Sequence, residues 1–449
     1  MEAIVSKKYR FANNLPQRQS RFTDSQQRSH PMSLTHLSNL RLLDHPDITS
    51  ELWIEDGYFV EPPTDALRSD TEIEHRDMDN ALILPGLIET HIHLDKACIM
   101  DRCHLQHGTL EEAIALTSKA KQGFSEVDIY QRGAHVIERA ITQGTTHMRT
   151  HVEIDPGIGL KGFEAIRRLQ ADYAWAVTLQ ICVFPQEGML NKPGTETLLI
   201  ECLQQGAEVL GGCPYTDSDP TGQIERLFAL AHQYDRDLDF HLDFDLMDDL
   251  TNLEKVIEQT HHYGWHGRVT LGHVTRLSAV SHTDLLGTAK KLATAGIQLT
   301  CLPATDLFLM GRQYDHLIPR GVSPIHILQQ QGMCCSLSTN NVRNPFTPLG
   351  DASLLRIANL YANIAQLGTD KQLEQCLHWI TKHSAQLLRL ENYGLHPGCR
   401  ADFIVMDSTD GPQTIAEIRP PLMGFKSGKQ TFCRPAATLL KPAKQQSDA

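Results

Sequence analysis

Two histidines separated by a single residue follow a Pro-Gly break after an apolar run. His91 and His93 lie within the segment 84–95. Side chains alternate across a strand, so both imidazoles are expected on the same side of it. Two imidazoles at one strand end can supply half of a site for Zn²⁺ or Fe²⁺. Because the chain has 23 histidines, the pair alone is weak evidence, and further ligands are needed at other strand ends.

Polar side chains also follow five later runs that resemble strands. Three of these runs end in His151, His241 and His273, and two others end in Gln186 and Asn340. A single histidine at a strand end is more often a structural group than a ligand. Histidines at four different strand ends together favour a metal centre.

The segments that carry these residues alternate with helical stretches through the middle of the chain. Seven strand-like runs follow the one that ends in the histidine pair, at 146–152, 177–184, 207–211, 238–242, 268–271, 297–302 and 333–337. This alternation predicts an α/β fold, a closed (β/α)8 TIM-type barrel whose active-site groups lie at the C-terminal strand ends. An open, doubly wound sheet is the alternative. It would be expected to carry a glycine-rich phosphate turn, and no such motif occurs.

Both ends of the chain have β-like patterns. Asp56-Gly57 between two apolar runs indicates a hairpin,, and a second hairpin is expected at 423–432. We therefore predict a small β-sandwich domain built from both chain ends. The predicted organisation is a disordered extension at 1–36, a β-sandwich from 37–84 plus 395–435, the barrel at 85–394 and a flexible tail at 436–449.

Composition limits the classes of partner. The chain of 449 residues has a net charge of −13, which argues against nucleic acid because phosphate contacts need clustered lysine and arginine. No apolar run approaches the roughly 20 residues that span a bilayer, so we expect no membrane association. The 11 cysteines are scattered without a CxxC pair, which is typical of reduced thiols in a cytoplasmic protein.

Several motifs together resemble the amidohydrolase superfamily, and within it the cytosine deaminase-like branch. The similarity extends over about 37–432 and is most specific in five segments, at 85–95, 149–152, 179–188, 309–312 and 344–350. The segment Phe-Pro-Gln-Glu-Gly at 184–188 is more specific to the family than the histidine pair, because metal binding alone does not require this segment. The resemblance implies a barrel plus a β-sandwich and a hydrolase acting on non-peptide C–N bonds.

The resemblance also implies roles for the residues at strand ends. His91, His93 and His241 would bind one divalent metal ion, Zn or Fe, and His273 would be catalytic by positioning the substrate and its attacking water. Gln186 matches a residue that hydrogen-bonds the substrate ring in cytosine deaminases. We expect substrate contacts from Gln186 and also from His151.

Two positions depart from the family pattern. Phe244 replaces a glutamate that shuttles protons to the ring, and Asp243 and Asp245 are the nearest carboxylates. Asn340 stands where the family has a metal-binding aspartate that also accepts the proton of water. An amide oxygen can contact a metal ion but is neutral and cannot act as a base. Asp306, after the seventh strand, is a candidate compensating carboxylate.

The predicted activity is hydrolysis of a non-peptide C–N bond, deaminase-like, in a small cyclic amidine, amide or N-heterocycle. The alternative is a catalytically silent homologue that binds a small ligand or a partner at the barrel mouth. The two departures at Phe244 and Asn340 support this alternative. By resemblance alone, a homo-oligomer is possible.

Overall fold

The computed structural model describes residues 34–64, 72–435 and 437–440. Most of the predicted extension and tail therefore lies outside the described residues. Sixteen strands are present in these ranges: β1 (Leu34–Leu42), β2 (His45–Glu55), β3 (Tyr58–Val60), β4 (Ile73–Asp77), β5 (Leu82–Pro85), β6 (Leu87–Ile92), β7 (Thr145–Glu153), β8 (Thr178–Phe184), β9 (Val209–Gly212), β10 (Asp237–Leu242), β11 (Val269–His273), β12 (Gln298–Cys301), β13 (Cys335–Leu337), β14 (Phe403–Met406), β15 (Pro421–Lys426) and β16 (Lys429–Cys433).

Helices connect the strands of the middle region. In the described ranges they are α1 (Leu110–Lys121), α2 (Glu126–Thr142), α3 (Lys161–Asp172), α4 (Thr195–Gln204), α5 (Pro220–Tyr234), α6 (Thr251–Tyr263), α7 (His282–Thr294), α8 (Pro303–Leu309), α9 (Ile325–Gln330), α10 (Leu354–Ala365), α11 (Asp370–His378), α12 (Lys382–Leu387) and α13 (Gly411–Ala416). Their N-termini often carry a side-chain cap, such as Thr109 before α1 and Ser125 before α2, which satisfies backbone N–H groups that lack a helical partner. None of these helices is long and apolar enough to cross a membrane.

The eight strands β6 to β13 form one parallel sheet in sequence order. The sheet is closed where Ile92 pairs with Asn340 in a parallel bridge. The N–H of Asn340 donates to the carbonyl of His91, and the N–H of His93 donates to the carbonyl of Asn340, both at 2.9 Å. The predicted α/β fold with a TIM-type barrel is confirmed. The closure also places Asn340 directly beside the histidine pair.

The two chain ends share a second sheet. Its strand order is β16-β15-β14-β5-β1-β2-β3, with β4 paired to β1. A small apolar core joins the ends, in which Phe403 stacks on Phe425 at 4.3 Å and lies 5.8 Å from Phe59, measured between ring centroids. Both predicted hairpins are present, β2–β3 across Asp56-Gly57 and β15–β16. The separate terminal sheet is confirmed, and the exact domain boundaries stay predictions.

The start of β1 differs from our expectation. We assigned 34–36 to a disordered extension, but β1 begins at Leu34 and pairs with Glu55 of β2. The buried residues of β1 are Leu34, Leu37 and Leu40, and the pairing of β1 with β2 shifts register between Leu37 and Leu40. A bulge of this kind disrupts the two-residue alternation that reveals a strand in sequence.

Candidate metal centre and active site

Three imidazoles converge at the mouth of the barrel. His91 and His93 come from the end of β6 and His241 from β10. The Nε2 atom of His241 lies 3.1 Å from the Nε2 atoms of both His91 and His93. Two nitrogens that share a tetrahedral zinc ion at about 2.0 Å each are about 3.3 Å apart. The observed spacing is therefore close to that of a histidine-bound metal ion, and the three residues form a candidate ligand set.

The electrostatics of these histidines favour metal binding. All three are buried, with at most 2% of the surface of each exposed. Burial is the main cause that lowers the pKa of each imidazole well below its usual value, and neighbouring groups reinforce it. Imidazoles that stay neutral keep a lone pair available for a metal ion.

His151 lies among the ligand histidines. Its ring stacks on His91 with a centroid distance of 3.7 Å, and its Nε2 atom is 3.3 Å from Oδ1 of Asp239. Asp239 also accepts a hydrogen bond at 2.7 Å from Arg149. His151 is fully buried. This packing favours a role in which His151 orients His91, and it favours that role more than the substrate contact that we predicted for His151.

His273 is held by a carboxylate. Its Nδ1–H donates to Oδ1 of Asp306 at 2.6 Å, and its ring centroid lies 5.6 Å from that of His241. His273 has a φ of 69°, a left-handed conformation at the end of β11 that turns the chain there. Asp306, which we considered as a compensating metal ligand, is engaged with His273 instead. Burial raises the pKa of Asp306, and the nearby His273 opposes this shift.

Asn340 lies next to the histidine pair through the backbone closure of the barrel. Its φ of 63° is left-handed, which asparagine and aspartate tolerate better than other non-glycine residues. Its side-chain Oδ1 is buried and has no hydrogen-bond partner in the structure. Buried polar atoms are almost always paired, so this unpartnered oxygen is consistent with a cation or ligand at this position.

Phe244 contributes to an apolar cover over the mouth. Its ring centroid lies 4.0 Å from that of His273, and it belongs to a cluster, here called the mouth cluster, whose buried members are Ala113, Phe244, Leu309, Met310 and Phe346. Where the family has a proton-shuttling glutamate, this chain therefore has an apolar wall. Contact with the Phe244 ring shields one side of the His273 imidazole from water, which strengthens electrostatic interactions there.

The two carboxylates near Phe244 do not replace the missing glutamate. Asp243 accepts a hydrogen bond from Asn252 at 3.0 Å and lies 3.5 Å from the guanidinium of Arg276. Asp245 forms an ion pair with the same arginine at 2.7 Å. Both carboxylates are thus paired with Arg276. The alternation of side chains along a strand could not predict these contacts. The strand ends at Leu242, and Asp243 has a left-handed φ of 47°.

Gln186 accepts a hydrogen bond from Lys96, a residue that we did not predict from the sequence as part of the site. Nζ of Lys96 donates to Oε1 of Gln186 at 2.9 Å and to Glu153 at 2.6 Å. Nε2 of Gln186 points to Sγ of Cys213 at 3.4 Å. Lys96 directly follows the predicted histidine segment, which is the one signal that could have drawn attention to it. Asp239 could also have been noticed, because it lies two residues before His241 and shares its side of β10.

The comparisons with known proteins agree with this architecture. An N-isopropylammelide isopropyl amidohydrolase of Pseudomonas sp. is 24% identical over 365 residues, 79% of this chain and 86% of the relative. The crystal structure of a 5-methylcytosine deaminase from Klebsiella pneumoniae superposes with a TM-score of 0.85 at 26% identity, covering 91% of this chain and 99% of the other. An N-isopropylammelide isopropylaminohydrolase from Burkholderia multivorans superposes with a TM-score of 0.79 at 26% identity, covering 89% and 98%.

The family assignment follows from a match over most of the chain. The model of the amidohydrolase family matches residues 130–432, which include β7 to β13 and most of the terminal sheet's C-terminal strands. The histidine cluster agrees with the metal dependence of this superfamily. The chain belongs to the amidohydrolase family, and it is a hydrolase of non-peptide carbon–nitrogen bonds, as its motifs predicted.

Proposed function

We propose that this enzyme uses one divalent metal ion, zinc or iron, to remove an amine or ammonia from a small N-heterocycle. The observation that carries the proposal is the convergence of His91, His93 and His241 through their Nε2 atoms. Similar proteins are named as hydrolases or deaminases of heterocycles, including a pterin deaminase from Rhizobium rhizogenes that is 24% identical over 363 residues, 80% of this chain and 82% of that protein.

The proposed roles follow from the chemistry of the side chains. His91, His93 and His241 would hold the ion, and Oδ1 of Asn340 is a neutral donor beside them. When bound, the ion supplies Lewis-acid activation of water and of the electrophilic carbon. The hydrogen bond from Nδ1 of His273 to Asp306 leaves Nε2 as its basic nitrogen. His273 would accept a proton from the attacking water and return it to the leaving amine.

The two departures from the family pattern make His273 more important here. Neither the amide of Asn340 nor the ring of Phe244 can accept a proton. The carboxylate of Asp306 stabilises a positive charge on His273 when it takes the proton, as the carboxylate of a catalytic triad does. Proton transfer is therefore proposed to pass through this one imidazole, supported by its carboxylate.

A screen for released ammonia or alkylamine tests the proposal. Metal-supplemented protein would be incubated with amino- and alkylamino-substituted pyrimidines, triazines and pterins, and His241→Ala would serve as the inactive control. Release by the wild-type protein that is lost in the variant is the expected result. No release from any ring by protein that contains its metal ion would contradict the proposal.

The second candidate is a catalytically silent homologue that binds a small ligand at the barrel mouth. The neutral Asn340 and the apolar Phe244 are the specific observations that favour it. This candidate predicts that ring compounds bind and protect the protein against thermal unfolding but are recovered unchanged. A homo-oligomer and a cytoplasmic location remain predictions, which light scattering and cell fractionation would test.

A further inference from the structure

We propose that His36 and His75 form a second metal site, on the terminal sheet and outside the barrel, for a divalent transition-metal ion such as Cu²⁺ or Zn²⁺. The inference is independent of the proposed reaction. It rests on the two neighbouring strands that place the imidazoles side by side, and on a carboxylate that directs the lone pair of one ring toward the other.

The pairing of β1 with β4 brings the two imidazoles together. The strands are parallel, and His36 lies directly opposite His75 in their register. Residues paired in this way project from the same face of a sheet, on strands about 4.8 Å apart. The Nδ1 atoms of the two rings are 3.1 Å apart. Two nitrogens at about 2.0 Å from one ion are about 2.8 Å apart at a right angle and about 3.3 Å apart at a tetrahedral one, so the two rings can share an ion as they stand.

Glu51 determines which nitrogen of His36 carries the hydrogen. Nε2 of His36 lies 2.8 Å from Oε2 of Glu51. An ionised carboxylate only accepts hydrogen bonds, so Nε2–H donates to it, and Nδ1 of the neutral ring keeps a lone pair that faces His75. Histidines that bind metal ions commonly donate their other N–H to a carboxylate in this way, which orients the ring and makes the ligand nitrogen more basic.

Trp53 holds the ring of His36 in position. It lies opposite His36 on β2, and the two rings are stacked with centroids 4.1 Å apart and an angle of 11° between their planes. Trp53 is buried, and the side chain of His36 is only 15% exposed. A ring that is already fixed by stacking and by a hydrogen bond loses little further freedom when it binds an ion.

His75 supplies the side of the site that is open to solvent. The residue is exposed, and its ring meets that of His36 edge-on, with an angle of 82° between the planes. Without an ion, Nδ1–H of His75 donates to the lone pair on Nδ1 of His36. When an ion binds, the hydrogen of His75 is carried by Nε2 instead, where solvent accepts its hydrogen bond. His75 therefore stays neutral, and both Nδ1 lone pairs are available to the ion.

The donor atoms select the class of ion. Imidazole nitrogens suit Zn²⁺, Ni²⁺ and Cu²⁺, whereas Mg²⁺ and Ca²⁺ prefer oxygen ligands, and Cu²⁺ binds most tightly in this series. In the described ranges, β4 pairs with β1 alone. An ion shared by the two histidines therefore links this strand to the rest of the sheet and stabilises the folded state.

Fluorescence of Trp53 reports binding at this site, because Cu²⁺ quenches an indole that is stacked on one of its ligands. Zinc-loaded, dialysed protein would be titrated with Cu²⁺ near neutral pH, and Trp53→Phe would identify the emission of this residue among the four tryptophans. We expect saturable quenching that excess Zn²⁺ reverses. His75→Ala removes one ligand, and Glu51→Ala removes the hydrogen-bond acceptor of the other. Each variant should raise the Cu²⁺ concentration at half-maximal quenching by at least about tenfold.

The matched control is His45→Ala, which removes another exposed histidine of the same sheet. His45 lies opposite Leu42, at the far end of β1 from His36, so this variant should keep the wild-type titration. Absence of quenching at Trp53, or an affinity that His75→Ala or Glu51→Ala leaves unchanged, would overturn the inference. The quenching measures a property of the terminal sheet, so its result stands whether or not the barrel hydrolyses any heterocycle.

Discussion

At the scale of single residues, Asn340 is the position that most affects the chemistry. It closes the barrel through its backbone, and its side-chain oxygen is buried without a partner. Three neutral imidazoles and one amide offer a dication no compensating negative charge. Because aspartate tolerates the left-handed backbone of this residue as well as asparagine does, a carboxylate can be introduced here without new strain.

We expect Asn340→Asp to tighten metal binding by about tenfold or more, since changes in the groups around a metal alone alter affinity by 10–100-fold. Competition with a chromogenic chelator would measure the affinity. Asn341→Asp is the control, because it introduces the same charge one residue away and should not tighten binding. If Asn340→Asp leaves the affinity unchanged, another group already fills this coordination position.

The carboxylate behind His273 gives a second prediction. Asp306→Asn replaces the carboxylate that holds Nδ1–H of His273 with a neutral amide, so it removes the negative charge that stabilises the protonated form of His273,. The turnover number should fall by about 10²–10⁴, as expected for loss of general acid–base catalysis. Metal content and thermal stability should stay close to those of the wild type. Loss of metal together with activity would show that Asp306 is a ligand, as the sequence first suggested.

The sequence predicted some of these residues and not others for a physical reason. His91, His93, His241 and His273 are found because strand ends in a barrel meet at one face. Lys96 is not found in this way, because its burial depends on the carboxylate of Glu153, which lies 57 residues away in the sequence. The pairing of Asp306 with His273 depends in the same way on how α8 packs against the barrel, which periodicity does not report.

At the scale of elements, the barrel strands were predictable and the edges of the terminal sheet were less so. Strands β7 to β13 are largely buried, and each of them overlaps a predicted segment. The buried residues of strand β1 recur every three positions instead of every two, and its pairing with β2 shifts register beyond Leu37. Its start was therefore placed too late.

The passage from the terminal sheet to the barrel is a point of close packing. Only Gly86 separates β5 from β6, and a Cβ atom built on it would lie 2.2 Å from the side chain of Thr146. Its N–H donates to the carbonyl of Asp402 at 2.9 Å. There is no room at this position for the side chain of any other residue unless Thr146 moves.

We expect Gly86→Ala to lower the free energy of unfolding by about 1–3 kcal/mol, the usual cost of overpacking. Urea denaturation would measure it. Gly287→Ala is the matched control, because Gly287 lies within α7 and its added Cβ would meet nothing within 4 Å. That control should raise stability by up to about 1 kcal/mol. If Gly86→Ala left the free energy of unfolding unchanged, this result would contradict the close packing of Gly86 against Thr146.

At the scale of the whole molecule, a buried polar contact joins the terminal sheet to the barrel. Lys426 of β15 donates to the carbonyl of Thr146 at 3.1 Å and to Asp402 at 2.6 Å, and Nε2 of His147 lies 3.5 Å from it. Burial is the main cause that lowers the pKa of His147 to about 3, and the charge of Lys426 adds to it. His147 is therefore neutral in the folded protein at any ordinary pH.

This shift makes the stability of the protein depend on pH. In the unfolded chain His147 takes up a proton below about pH 6.5, whereas in the folded chain it does so only near pH 3. The contribution of His147 to stability is therefore fully present above the pKa of His147 in the unfolded chain. It is lost as the pH falls toward the pKa of His147 in the folded protein. When the pH falls from 7 to 5, His147 alone should lower the free energy of unfolding by about 2 kcal/mol.

His147→Gln should remove this contribution, because glutamine has no titrating group. Urea unfolding at pH 7 and at pH 5 should show that the variant loses about 2 kcal/mol less than the wild type over this interval. The comparison cancels the other buried histidines and carboxylates, which titrate in both proteins. An identical pH dependence would mean that His147 is protonated or exposed in the folded state.

The metal content of the purified protein tests the central claim most directly. Protein expressed with added zinc and iron would be dialysed and analysed for bound metals, with His241→Ala treated in parallel. We predict close to one equivalent of one divalent metal per chain in the wild type, and its loss in the variant. Less than about a tenth of an equivalent in the wild type, or equal content in both proteins, would contradict a metal site formed by His91, His93 and His241.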